Sequence, residues 1–165
     1  MSRYNAIISN DVVNGQGVCV SFFAQGCPHH CDGCFNPETW DFDGGQPYSE
    51  EVKWEIIKLI SANGIQRNFS VLGGEPLAPC NLNMVSSLIN AVRHAYPHIK
   101  IFLWTGYTKE ELDIKDERIQ LILDNIDVLI DGPFIEAQKN LDLKLRGSDN
   151  QRIWIRENNR WIQDE

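Results

Sequence analysis

The sequence predicts an α/β fold in which a mainly parallel sheet is wound as a partial, open (β/α) barrel. Three observations point there. Short β-branched or aromatic runs alternate with stretches of helical period, the pattern of right-handed βαβ units. Segments punctuated by glycine and proline follow one strand after another, at the strand ends where parallel sheets place their ligands. The chain has 165 residues, whereas a closed eight-unit barrel needs about 250.

Tyr4 to Ile8 is the first strand candidate, and the run Val18-Cys19-Val20-Ser21-Phe22-Phe23 is the second. Asp41 to Gln46 reads as a mobile Gly-rich loop. Ser49 is a plausible N-cap for a helix carrying Val52, Ile56, Leu59 and Ile60 on one face. Phe69 to Leu72 returns to strand and is broken by Gly73-Gly74-Glu75-Pro76. Leu82, Val85, Leu88, Ile89 and Val92 then mark a second amphipathic helix ending near Pro97. Ile101 to Trp104 is a strand. Thr108 with Glu111 fits a capping box for a helix that precedes another at Ile119, Ile122, Leu123 and Ile126. Val128 to Ile130 closes the series, and Ile153 to Ile155 with Trp161 and Ile162 can pair as a hairpin about Asn158-Asn159.

Composition narrows the class. A hydrophobic fraction of 42% with regular periodicity excludes a disordered chain, and no stretch reaches the roughly 18 apolar residues of a membrane span. With 15 Lys plus Arg against 23 Asp plus Glu, the net charge of −8 disfavours nucleic acid as a partner. The N-terminus lacks an export signal, so the expected location is the cytoplasm. Five cysteines, an odd number, point to metal or redox chemistry rather than a disulfide framework. A single domain over residues 1–165 is expected.

The chemistry concentrates in Cys27-Pro28-His29-His30-Cys31-Asp32-Gly33-Cys34, a C-x3-C-x2-C loop at the C-terminal end of the second strand. Thiolates are the soft ligands that iron and zinc prefer. A [4Fe-4S] cluster held by three cysteines leaves one iron open to a substrate. The same triplet can instead form a structural zinc site completed by His29, His30, Cys19 or Cys80. Metal analysis would separate the two, because a zinc adaptor is colourless and lacks sulfide.

The cysteine loop followed by Phe35, and later Gly73-Gly74-Glu75-Pro76, resembles the radical S-adenosylmethionine superfamily. Further segments narrow the likeness: Asn36 and Trp40, Trp104-Thr105-Gly106-Tyr107, Asp131-Gly132-Pro133-Phe134, and Arg146-Gly147-Ser148 with Asn150-Gln151-Arg152. Together they resemble the family of class III anaerobic ribonucleotide reductase activases over about residues 5 to 152. The resemblance implies a radical SAM domain with a [4Fe-4S] cluster on Cys27, Cys31 and Cys34, and S-adenosyl-L-methionine chelating the remaining iron. It implies cofactor contacts from Gly33, Cys34 and Phe35 at the nucleoside end and from Gly73, Gly74 and Glu75 at the methionyl end. One electron from an external low-potential donor would cleave the sulfonium, and the 5′-deoxyadenosyl radical would take hydrogen from a glycine Cα of the partner reductase. The same features suit an activase of another glycyl-radical enzyme, such as pyruvate formate-lyase.

Other polar and aromatic residues have simpler readings. Cys19 reads as a small core residue and Cys80 as a loop thiol before a helix. His29 and His30 are left out of the ligand set. Asp131 is expected to cap the turn that follows it, although a strand-end carboxylate can also orient a ligand hydroxyl. Arg146, Asn150, Gln151 and Arg152 read either as an exposed polar turn or as groups reaching the ligand carboxylate or a partner. Trp54, Trp104, Trp154 and Trp161 read as packing residues.

Overall fold

The computed structural model describes residues 2–112 and 115–164. Among them, eight strands form one sheet: β1 (Arg3–Asp11), β2 (Cys19–Ala24), β3 (Gln46–Pro47), β4 (Asn68–Gly73), β5 (Ile101–Trp104), β6 (Val128–Asp131), β7 (Arg152–Glu157) and β8 (Arg160–Asp164). Their order is β3-β1-β2-β4-β5-β6-β7-β8. The centre, β2-β4-β5-β6, is parallel. The flanking pairs are antiparallel.

Helices α1 (Glu50–Ile60), α2 (Leu82–Ala95) and α3 (Glu117–Asn125) are the crossovers between the parallel strands. They share one core with alternate strand residues Val20, Phe22, Phe69, Val71, Ile101, Leu103 and Leu129. Because side chains alternate along a strand, the opposite face presents Cys19, Ser21, Ser70 and Phe102. The β1–β2 loop folds over that face, with Ser70 Oγ donating to Asn14 O at 2.7 Å. Ser21 Oγ donates to Asp11 Oδ2 at 2.7 Å. Burial alone would raise the Asp11 pKa. Hydrogen bonds from Ser21, Asn14 and Val13 outweigh that and hold it below the ordinary carboxylate value.

Ser49 caps α1 by accepting from Val52 N–H, as its sequence position predicts. The inward face of α1 includes Lys53, whose Nζ donates to Ser87 Oγ at 2.8 Å and pairs with Glu50. Trp54 instead points outward and is 55% exposed, correcting its reading as a packing residue. The Thr108–Glu111 capping box forms, yet it starts only a single 3-10 turn, Lys109–Glu111. Leu112 ends the turn with extended backbone and is buried. The expected loop over 41–46 is pinned rather than free: Arg3 donates to Gly44 O and Gly45 O, and Gln25 Nε2 donates to Asp41 O. The hairpin β7–β8 turns at Asn158 and Asn159, both with positive φ, the backbone a two-residue turn of this hand needs. No helix of the described residues is long and apolar enough to cross a membrane.

Candidate functional site

All four punctuated loops that follow the parallel strands meet at one cavity of about 550 Å³. From the loop after β2 it is lined by Cys27, His29, Cys31, Cys34 and Phe35. Gly73, Gly74 and Glu75 come from the end of β4, Trp104, Thr105 and Gly106 from β5, and Gly132 and Phe134 from β6. The volume lies in the range of small-molecule and cofactor sites.

The cysteine loop is closed by its own backbone. Gly26 N–H donates to Thr39 O at 2.6 Å, Cys27 N–H to Trp40 O at 3.1 Å and Cys34 N–H to Cys31 O at 3.1 Å. Asn36 N–H donates to Cys34 Sγ at 3.4 Å, the kind of bond that would tune this sulfur were it to ligate a metal. Burial pushes the Cys27 and Cys31 thiols above their ordinary pKa. Among the described residues no three His, Cys, Asp or Glu side chains are gathered closely enough to hold one metal ion. The three thiols of the loop line one cavity, and thiolates are the ligands that an iron-sulfur cluster takes. The wall also holds a donor to spare, because Trp40 Nε1 is buried with no acceptor among the described residues.

The two glycines opposite are required by packing. A Cβ on Gly73 would lie 2.6 Å from Ala24 N and 2.7 Å from Ala24 O. One on Gly74 would lie 2.5 Å from Gly26 O and 2.8 Å from Thr39 O. Gly74 N–H donates to Ala24 O and Glu75 N–H to Gly26 O, so this strand end is stitched directly to the start of the cysteine loop. Gly33, expected at the nucleoside end, does not line the cavity. It has φ +73, and a Cβ there would meet the Glu136 side chain.

The outer wall was only partly legible in the sequence. Leu143, Leu145, Arg146, Gly147 and Gln151 form it, with Val13 and Asn14 at the far edge. Trp104 lines the cavity and donates from Nε1 to Leu145 O at 2.7 Å, so it is more than a packing residue. Gln151 Oε1 accepts from Gly147 N–H at 2.8 Å, its Nε2 donates to Gly132 O at 3.0 Å, and Asn150 Nδ2 donates to Pro133 O at 2.7 Å. Gly147 leaves room for the rings of Phe35 and Phe134, 5.0 Å apart. Arg146, the only Lys or Arg among the described residues lining the cavity, makes two long backbone bonds, to Lys144 O at 3.5 Å and Gln151 O at 3.4 Å.

Asp131 is fully buried and does not line the cavity. It accepts from Lys109 N–H and from Arg152 at 2.6 Å each. It caps the preceding crossover and pairs with β7, rather than capping the turn after it. Cys19 is buried and Cys80 exposed, as expected. His30 stacks on Trp40, ring centroids 4.6 Å apart.

A family profile described as a 4Fe-4S single cluster domain matches residues 13–154. The anaerobic ribonucleoside-triphosphate reductase-activating protein of Vibrio cholerae is 42% identical over 152 residues, 92% of this chain and 96% of the relative. Its counterpart from Enterobacteria phage T4 is 39% identical over 98% of this chain and 99% of the relative. That of Escherichia coli K12 is 36% identical over 92% and 97%. With identity at that level over at least 92% of the chain and a family profile spanning residues 13–154, the chain belongs to the family of anaerobic ribonucleoside-triphosphate reductase-activating proteins.

Proposed function

We propose that this chain activates an anaerobic class III ribonucleoside-triphosphate reductase by generating a glycyl radical on it, with Cys27, Cys31 and Cys34 holding a [4Fe-4S] cluster and S-adenosyl-L-methionine bound beside it. The observation that carries the reading is the meeting of three thiols from one loop with the Gly73–Glu75 strand end across a single cavity. When bound and reduced by an external low-potential donor, the cluster supplies the electron that cleaves S-adenosylmethionine and so makes hydrogen abstraction from a glycine possible.

The chain's own residues bind, orient and exclude water. Cys27 leaves the end of β2 already fixed by its backbone bond to Trp40. Gly73 and Gly74 hold the opposing strand end close enough for both walls to touch one ligand. Phe35 and Phe134 close one rim with apolar rings, which keeps water from a reactive intermediate. Arg146 offers spare guanidinium donors to a ligand carboxylate.

Three helices on one face of the sheet and the cavity loops at its strand ends fit a partial, open barrel formed by residues 1–165 as one domain. Its open side gives a glycine-bearing loop of the reductase room to enter. The test is anaerobic reconstitution followed by iron and sulfide analysis, then incubation with reductant and S-adenosylmethionine. Bound iron and sulfide with release of methionine supports the reading. Zinc without sulfide, or a full cluster that leaves S-adenosylmethionine intact, overturns it.

A further inference from the structure

Glu75 is 1% exposed, yet it lies in the cavity wall among residues of three different loops. Its carboxylate is fully occupied by the protein. Oε2 accepts from Leu77 N–H at 2.9 Å and from Thr105 Oγ at 2.8 Å. Oε1 accepts from Gly106 N–H at 2.7 Å and from His29 Nε2 at 2.7 Å. An ionised carboxylate offers about four lone-pair sites, so four donors leave none for a ligand.

The geometry points to Glu75 as a positioning residue: we propose that Glu75, His29 and Gly106 form a latch that fastens the cysteine loop to the ends of β4 and β5. His29 sits between Cys27 and Cys31, so whatever fixes its ring fixes the spacing of two thiols. The ring is held on three sides. Glu75 binds Nε2, Tyr107 meets the ring edge-on at 4.6 Å between centroids, and Gly106 lies beneath it. A Cβ on Gly106 would come within 2.5 Å of His29 Cδ2 and 2.8 Å of Nε2. Glycine here is therefore a space left for the histidine, and the adjoining N–H shares the same carboxylate oxygen.

The latch gives three otherwise separate features one physical purpose: a histidine within the cysteine motif, the glutamate of Gly-Gly-Glu-Pro, and the glycine of Trp-Thr-Gly-Tyr. It deepens the cluster-site reading, and the loop-order readout below does not depend on that reading. It also reassigns Glu75 from cofactor contact to support.

The test compares His29→Phe, Glu75→Gln, Gly106→Ala and the His29→Phe/Glu75→Gln double variant in the full-length protein, before reconstitution for the first readout and after anaerobic reconstitution for the second. The first readout is deuterium uptake by the peptide spanning residues 27–36. Each single variant should raise its exchange rate on the order of tenfold, the scale set by one lost charge-assisted hydrogen bond. The double variant should exchange no faster than Glu75→Gln alone, because contacts in one unit are not additive. The second readout is S-adenosylmethionine affinity by calorimetry, where His29→Phe and Glu75→Gln should weaken binding by similar factors that do not multiply. Unchanged loop exchange in His29→Phe and Gly106→Ala would overturn the latch even if Glu75→Gln failed to fold. Additive effects would do the same, as would a loss of affinity confined to Glu75→Gln, which would make the carboxylate a direct ligand contact.

Discussion

Replacing Gly74 by alanine tests whether the glycines opposite the cysteine loop serve the ligand or the packing of backbone on backbone. The φ of Gly74 lies outside the left-handed region, so the added methyl costs only what it collides with. It would sit 2.5 Å from Gly26 O and 2.8 Å from Thr39 O. Reaching an ordinary contact of 3.4 Å requires the two chains to part by about 0.9 Å. Both oxygens belong to backbone, and both accept hydrogen bonds that the movement would stretch: Glu75 N–H to Gly26 O at 2.8 Å and Gly26 N–H to Thr39 O at 2.6 Å. Overpacking costs about 1–3 kcal/mol and a lost backbone bond about 1 kcal/mol, for a total of about 2–4 kcal/mol. In a domain of this size that lowers the melting temperature by roughly 5–15 °C. Gly17→Ala is the control. Among the described residues, none beyond its chain neighbours has an atom within 4 Å of its Cβ, and φ +67 limits the cost to about 1 kcal/mol of left-handed strain. Thermal unfolding by circular dichroism, under anaerobic conditions with and without reconstituted cluster, should separate the two clearly. Equal shifts in both variants would refute the packing argument. So would a Gly74→Ala protein that melts like wild type and has lost only its ligand.

Three other predictions address the site and its surroundings. Cys31→Ala should bring iron retained after desalting down to background and abolish cleavage of S-adenosylmethionine; a variant keeping a full cluster and normal cleavage would remove Cys31 from the ligand set. Arg146→Met should keep its iron while weakening S-adenosylmethionine binding on the order of tenfold, measured by calorimetry, and unchanged affinity would place the ligand carboxylate elsewhere. The Glu110 carboxyl, held down chiefly by its hydrogen bonds from Arg152, should titrate at about 2 by carbon-13 NMR. Arg152→Met should return it toward the ordinary 4.5; a midpoint unmoved by that change would show that the pair does not form in solution.

What could be read in the sequence was what local chemistry determines. Val18 to Phe23, Phe69 to Leu72 and Ile101 to Trp104 are β-branched and aromatic, so their strands were visible, and Asn158-Asn159 announced its turn. Strand direction was less visible. The antiparallel run of β1 beside β2 depends on how the loop between them folds back over Ser21 and Ser70. The Thr108 capping box was legible, but its helix stops after one turn because Leu112 leaves helical geometry to reach the core. Lys53 on the inward face of α1 escaped the periodicity argument, since its burial rests on Ser87 in another helix.

The site divides the same way. Thiol spacing marks Cys27, Cys31 and Cys34 within eight residues, and Gly-Gly marks the opposing strand end. The purpose of those glycines was not readable, because the atoms they make room for, Gly26 O and Thr39 O, lie far from them in sequence. His29 looked like an ordinary loop histidine while its partner Glu75 stood 46 positions away. The outer wall from Leu143 to Gln151 has no period to detect. It is built from side-chain-to-backbone bonds, such as those of Gln151 and Asn150, that exist only once β6 and β7 are side by side.

The most direct test of the account is an anaerobic electron paramagnetic resonance spectrum of the reconstituted, reduced protein mixed with S-adenosylmethionine and a class III reductase. A parallel sample contains pyruvate formate-lyase in place of the reductase. The account predicts a glycyl-radical signal with the reductase and none with the lyase. A full cluster that yields no radical on the reductase, or yields one only on the lyase, would contradict it.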